Sequence, residues 1–144
     1  PEHLVDNYIA CHETRIAIEL DLYADLTKPI ILPMSRIPNN ISGLLSNVEI
    51  LDYGLKIEKG SLSAQENGCI LDKPHVLIYA LSLLSKSGAE KISLTGVDGY
   101  ENQSSKQKEL NKVFVKFKEN NPDLNFLAIT PTNLPINISL ICEQ

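Results

Sequence analysis

The segment Lys91-Ile92-Ser93-Leu94-Thr95-Gly96-Val97-Asp98-Gly99-Tyr100 holds the densest chemistry in the chain. It is an apolar, strand-like run that ends in two glycines around a carboxylate, followed by a phenol. Ile92, Leu94 and Val97 suit burial between helices, and Gly96 and Gly99 permit backbone angles and close approaches that a Cβ would block. Asp98 and Tyr100 would then stand at the carboxyl edge of a parallel sheet, where open α/β sheets take their ligands. A tight turn with Asp98 capping backbone amides accounts for Asp-Gly equally well. Three other segments would meet that edge if the sheet is parallel: Cys11 to Arg15, Pro33 to Arg36, and Thr130 to Asn133. Arg15 and Arg36 carry forked donors suited to phosphate or carboxylate, although pairing with surface acids is the commoner use of an arginine. The candidate ligand-binding set is therefore His12, Arg15, Ser35, Arg36, Gly96, Asp98, Gly99, Tyr100, Thr130 and Thr132, with no catalytic residue assigned.

Several familiar chemistries are missing from the pattern. Neither G-x-G-x-x-G nor G-x-x-x-x-G-K-[ST] occurs, so those motifs give no case for a nucleotide. Cys11 and His12 are adjacent, and on a strand they point to opposite faces, which disfavours a nucleophile and base pair and suggests that Cys11 is a buried small hydrophobe. His3, His12 and His75 are far apart, no H-x-x-x-H pair exists, and no metal site is expected. Glu66 could reach the sheet edge or be a solvated loop carboxylate.

The elements that must position these residues alternate. Val5 to Cys11 reads as a strand, followed by a helix from about Glu13 in which Ile16, Leu20 and Tyr23 have helical spacing and Ile18 and Leu22 widen the apolar face. Pro29 to Pro33 is a short buried strand, Ile37 to Leu45 a brief helix with Ile41, Leu44 and Leu45 inward, and Val48 to Tyr53 a third strand. Gly54 to Lys73 fits a loop or small hairpin as well as a helix. Pro74 opens a helix that is apolar nearly all round and ends at Gly88. After the strand Lys91 to Thr95 comes a surface helix with Leu110, Val113, Phe114 and Phe117 on one stripe and mostly lysines opposite. Asn125 to Ile129 forms a further strand, and Ile136 to Cys142 an edge strand or terminal arm. Such alternation predicts an α/β fold, a three-layer Rossmann-like sandwich around a mostly parallel sheet of about five or six strands.

The length of 144 residues, with 43% hydrophobic, suits a single domain over 1–144. A net charge of −5 without a Lys/Arg run argues against nucleic acid as a partner. Three scattered cysteines fit neither a disulfide framework nor a metal site and point to a reducing, cytoplasmic setting. No apolar run reaches about 18 residues and no secretory signal is evident, so no membrane association is expected. The start at Pro1 without Met leads to the expectation of a fragment of a longer protein.

Taken in order, Ile9-Ala10-Cys11-His12 with Arg15, Lys28 to Pro33, Leu51-Asp52-Tyr53-Gly54, Gly96 to Tyr100 and Thr130-Pro131-Thr132 resemble the C-terminal domain of bacterial 4-hydroxy-2-oxovalerate aldolase-type, hydroxymethylglutaryl-CoA lyase-like proteins. That resemblance implies a preceding aldolase-like barrel as partner, with any divalent metal and the lyase chemistry in that barrel. A barrel needs about 250 residues, so this chain holds no cofactor of its own and would not cleave a carbon–carbon bond alone. Gly96, Asp98 and Tyr100 are also similar to a segment of Rossmann-like bacterial sialyltransferases, which implies Tyr100 as a phosphate ligand and Gly96 and Asp98 as walls of a nucleotide site. The chain departs from that pattern at Asp72-Lys73-Pro74-His75 and in having no histidine after Tyr100. The function expected is an accessory, nucleotide-binding or other anionic-metabolite-binding domain in carbohydrate biosynthesis. The alternative is a noncatalytic homo-oligomerisation or barrel-docking module.

Overall fold

The computed structural model describes residues 4–102 and 104–139, and among these the chain is a mixed α/β protein of nine short strands and five α-helices. His3, Cys142 and the end of the expected terminal arm lie outside the described residues. The strands are hydrogen-bonded as three sheets of three, not as one sheet of five or six. Contacts divide the chain into two compact units, Pro1–Leu83 and Leu84–Gln144.

In the first unit, β1 (Tyr8–Ile9), β2 (Ile30–Leu32) and β3 (Ile50–Asp52) pair in parallel in that order. Parallel neighbours require a crossover, and the apolar run after Cys11 supplies the first one. It forms two short helices, α1 (Glu13–Ile18) and α2 (Leu20–Ala24), where the spacing predicted one. The second crossover holds a 3-10 turn (Met34–Arg36), α3 (Asn39–Ser42) and another 3-10 turn (Gly43–Leu45). Ile16, Ile30, Leu32, Ile41, Leu45 and Val48 form the core, with Leu20, Tyr23 and Leu26 packed against it. Leu44 departs from its expected inward position and is exposed, because the 3-10 geometry after Ser42 turns it away from the side taken by Ile41 and Leu45.

Tyr53 is where the strand leaves one sheet for another. Its N–H donates to the Leu32 carbonyl (3.1 Å), whereas the next N–H, that of Gly54, donates to the Asn67 carbonyl (2.9 Å). From there β4 (Gly54–Ile57) pairs in parallel with β6 (Gly68–Leu71), and β5 (Leu62–Gln65) closes an antiparallel hairpin on the other side of β6. Most of the alternation Ser61-Leu62-Ser63-Ala64 thus lies in the strand Leu62–Gln65, and Gly54 to Lys73 builds a small sheet of its own. Each strand of that sheet has four residues.

Helix α4 (Val76–Lys86) buries Ile78, Tyr79, Leu81 and Ser82. Gly88 follows it with φ 81°, a backbone state that favours glycine and ends the helix. The second unit is a parallel sheet of β7 (Lys91–Leu94), β8 (Asn125–Ala128) and β9 (Asn137–Ile138), with α5 (Ser105–Asn120) as the crossover between β7 and β8. Leu110, Phe114 and Phe117 recur at helical spacing on the buried face of α5. Phe126 of β8 packs edge-on against Phe114 (5.5 Å between centroids) and Phe117 (6.2 Å). Among the described residues no helix is long and apolar enough to cross a membrane.

Candidate functional site

The ten candidate residues divide between two parallel sheets, six on the ends of β7 and β8 and four beyond the ends of β1 and β2. The loops that leave β7 and β8 are neighbours because those strands are paired in register, Leu94 opposite Ala128. Thr130 Oγ1 accepts from the Gly96 N–H (2.9 Å), and Thr132 Oγ1 donates to the Val97 carbonyl (2.5 Å) while accepting from the Leu134 N–H (3.1 Å). Asn133 N–H donates to the Asp98 carbonyl (3.0 Å), and Asn133 Nδ2 donates to the Tyr100 carbonyl (3.0 Å). Gly96, Asp98, Tyr100, Thr130 and Thr132 therefore belong to one polar platform at a carboxyl edge.

Its organiser is Gln107, which the sequence reading did not single out. Gln107 is 2% exposed. Its Oε1 accepts from the Tyr100 N–H (2.6 Å), and its Nε2 donates to the Asn133 carbonyl (2.9 Å) and to Asn111 Oδ1 (2.7 Å). One amide thus ties the β7 loop, the β8 loop and α5 together, meeting the requirement that buried polar atoms be paired. Gly99 makes the approach possible: a Cβ there would lie 2.5 Å from Gln107 Oε1, and its φ of 88° is in the region that favours glycine. A signal for Gln107 was present in the sequence. Ser104-x-x-Gln107 has the capping-box spacing, and Ser104 Oγ does accept from the Gln107 N–H (3.1 Å).

The Asp98 carbonyl accepts from the Asn133 N–H, and the residue is exposed on the loop. The Tyr100 ring is likewise exposed, with the Lys106 ammonium 5.8 Å from its centroid. A phenol, a carboxylate and an ammonium beside a fixed backbone can bind a polar ligand through directed hydrogen bonds and charge.

In the first unit His12 occupies the N-cap position of α1 and is exposed, without a capping hydrogen bond from its side chain. Ser35 is exposed on the 3-10 turn after β2, whose first N–H, that of Met34, donates to Asp52 Oδ1 (2.9 Å). Both arginines are ion-paired: Arg15 Nε with Glu19 (3.5 Å) and Arg36 with Glu13 Oε2 (3.3 Å). The Arg15 pair is largely solvated and adds little stability. Arg36 differs, since its Nε is buried and has no hydrogen-bond partner among the described residues. Glu13 thus occupies one side of a guanidinium that has a donor still unmet. Glu66 is exposed in the hairpin turn between β5 and β6.

Cys11 and Cys69 are both buried in the first unit as free thiols. Burial, and next to it the neighbouring Cys69, push Cys11 up to about 12 against an opposing pull from Arg36; burial likewise pushes Cys69 up to about 11, against a hydrogen bond with Ser82. These thiols are packing groups. In a Cys142→Ser background, native protein should react with a disulfide thiol reagent at pH 8 at least ~100-fold more slowly than the same chain in denaturant, because the thiolate fraction falls tenfold for each unit of pKa. A fast native reaction at either cysteine would refute this packing role.

Among the described residues no group of three or more His, Cys, Asp or Glu gathers as metal ligands would. No protein-family model, curated protein or solved structure matches the chain.

Proposed function

We propose that the chain is an accessory domain that binds a small anionic metabolite, a nucleotide or activated sugar being the leading class, at the carboxyl edge formed by the loops after β7 and β8. The observation that carries this reading is the Gln107-centred network, which holds two loops rigid while leaving the Asp98 carboxylate, the Tyr100 phenol and the Lys106 ammonium free to meet a ligand. Binding sites built from a few fixed polar groups at such an edge are the general pattern for parallel sheets. In the first unit, the Arg36 guanidinium, whose buried Nε has no hydrogen-bond partner among the described residues, is a separate candidate contact for an anion.

The wider setting rests on the sequence resemblance. On that basis the domain is Rossmann-like, cytoplasmic and C-terminal to a barrel of the 4-hydroxy-2-oxovalerate aldolase type, with the lyase chemistry and any divalent metal in the barrel. Transfer chemistry of the sialyltransferase kind is disfavoured, since it needs a proton acceptor after Tyr100 and no histidine follows that residue.

A thermal-shift series on the chain with cytidine, uridine and adenine nucleotides, sugar nucleotides, coenzyme A and small keto acids tests the reading. A ligand at about a hundred times its Kd should add roughly 2.7 kcal/mol of stability. The expected result is a shift with one ligand class that Tyr100→Phe combined with Asp98→Ala abolishes. A shift that survives this pair but is lost in Arg36→Ala would move the ligand to the ends of β1 and β2. No shift with any compound would defeat the metabolite reading.

A further inference from the structure

Helices α1 and α2 carry an apolar face that the fold does not use. Ile18, the last residue of α1, and Leu22 of α2 are 78% and 70% exposed, and Leu44, on the 3-10 turn that packs against α2, is 60% exposed. Their helical spacing looks like part of a core stripe, yet the core of this unit is filled by Ile16 from α1 with Leu20 and Tyr23 of α2 packed against it. Scattered exposed leucines are ordinary, but three on adjoining elements form a patch of the kind that marks a contact surface. The patch is rimmed by acid. Residues 13–25 contain Glu13, Glu19, Asp21 and Asp25 against the single Arg15, and Asp21 and Asp25 flank Leu22 on exposed positions.

Helix α5 has the opposite character on its solvent side. It carries five lysines against two glutamates. Lys108, Lys112, the exposed Val115 and Glu119 follow one another along one face, so the two lysines lie on the N-terminal side of Val115 and Glu119 one turn beyond it. At about 1.5 Å per residue, Lys108 to Val115 spans roughly 10 Å, well within the roughly 18 Å that residues 13–24 of α1 and α2 would cover as helix. Two lysines four residues apart beside an apolar side chain therefore match, in spacing and in sign, two aspartates four residues apart beside Leu22.

From this complementarity we infer that the chain self-associates, with the α1–α2 face of one copy docking the α5 solvent face of a second copy through Ile18, Leu22 and Leu44 against Val115 and through Asp21 and Asp25 against Lys108 and Lys112. The contact is heterologous, joining two different surfaces, and it is small and charged, so it is a reversible, salt-sensitive association and not an obligate dimer.

Sedimentation velocity and chemical cross-linking of the chain at increasing concentration provide the test. The wild type should associate at low salt and dissociate as ionic strength rises toward ~0.5 M, where the screening length is only a few ångströms. Leu22→Asp should weaken association about tenfold or more, and because the side chain is largely solvent-exposed the variant should melt like wild type. The paired variants Asp21→Lys/Asp25→Lys and Lys108→Glu/Lys112→Glu should each be monomeric alone and should associate when mixed, since only the mixture restores opposite charges across the contact. A wild-type chain that stays monomeric up to ~0.5 mM, association indifferent to these substitutions, or failure of the mixture to associate would each overturn the inference.

Discussion

Gly68→Ala should unfold or severely destabilise the first unit, while Gly43→Ala should be neutral or slightly stabilising. A Cβ at residue 68 would lie 2.6 Å from the Gly54 carbonyl oxygen, 2.9 Å from its carbonyl carbon and 3.0 Å from its Cα. All three are backbone atoms of the strand that pairs with β6, so no side-chain rotation can relieve the overlap. The parallel register Gly54↔Gly68 would have to open where Tyr53 hands the chain from one sheet to the next. Overpacking that a core cannot absorb costs about 1–3 kcal/mol, and a backbone obstacle belongs at the upper end or beyond. At roughly 2–4 °C per kcal/mol for a chain of this size, the melting temperature should fall by about 6–12 °C. At residue 43 nothing lies within 4 Å of the added Cβ and the backbone is right-handed helical, so the loss of unfolded-state entropy should dominate, worth about 0.4–1 kcal/mol in favour. Equal melting temperatures for the two variants would show that the β4–β6 approach is not tight.

The contrast bears on what the sequence makes legible. The parallel crossovers were readable because each unit announces itself locally: Ile30 to Leu32 is a continuous apolar run between prolines, and Leu110, Phe114 and Phe117 repeat at helical spacing before Asn121-Pro122. The division into three sheets was not, because it depends on where single N–H groups go. Tyr53 and Gly54 are adjacent, yet their amides serve different sheets, and no composition or periodicity encodes that change of partner. Exposure failed for a related reason. Ile18 and Leu22 have the spacing of a buried stripe, but the two short helices leave room inside for one face only, and Ile16 takes it. At the candidate site, the glycines and Asp98 advertised a turn, and the structure adds what holds the turn in place. Gln107 sits on α5, seven residues from the amide it receives, and only its capping-box distance from Ser104 hinted that it faces inward.

Gln107→Ala should loosen the candidate site more than any exposed substitution within it. Truncation leaves the Tyr100 N–H and the Asn133 carbonyl without their partner and removes the link to Asn111. Each buried polar group left unmet costs about 1–3 kcal/mol, so a loss of roughly 2–4 kcal/mol is expected, less whatever water recovers. The damage should be local: amide exchange at Tyr100 should accelerate at least ~30-fold for every 2 kcal/mol lost there, while Ile92 and Phe126 in the strands should change far less. Gln107→Glu separates the two halves of the interaction. An ionised carboxylate can still accept from the Tyr100 N–H, but it cannot donate to the Asn133 carbonyl or Asn111 Oδ1 and repels both. The variant's carboxyl should therefore titrate above the ordinary Glu value of about 4.3. A raised folded-state value means that the one donation the single O–H of the protonated carboxyl can make is present below the unfolded value and lost as pH climbs through the folded one, while the second donation of the native amide is not recovered. Gln107→Glu should accordingly regain part of its deficit relative to wild type at about pH 4 and fall toward Gln107→Ala at pH 8, whereas Gln107→Ala should show no such recovery. A Gln107→Glu variant whose deficit is the same at both pH values would mean that donation to the β8 loop contributes nothing, and that the two loops are held together by Thr130, Thr132 and Asn133 alone.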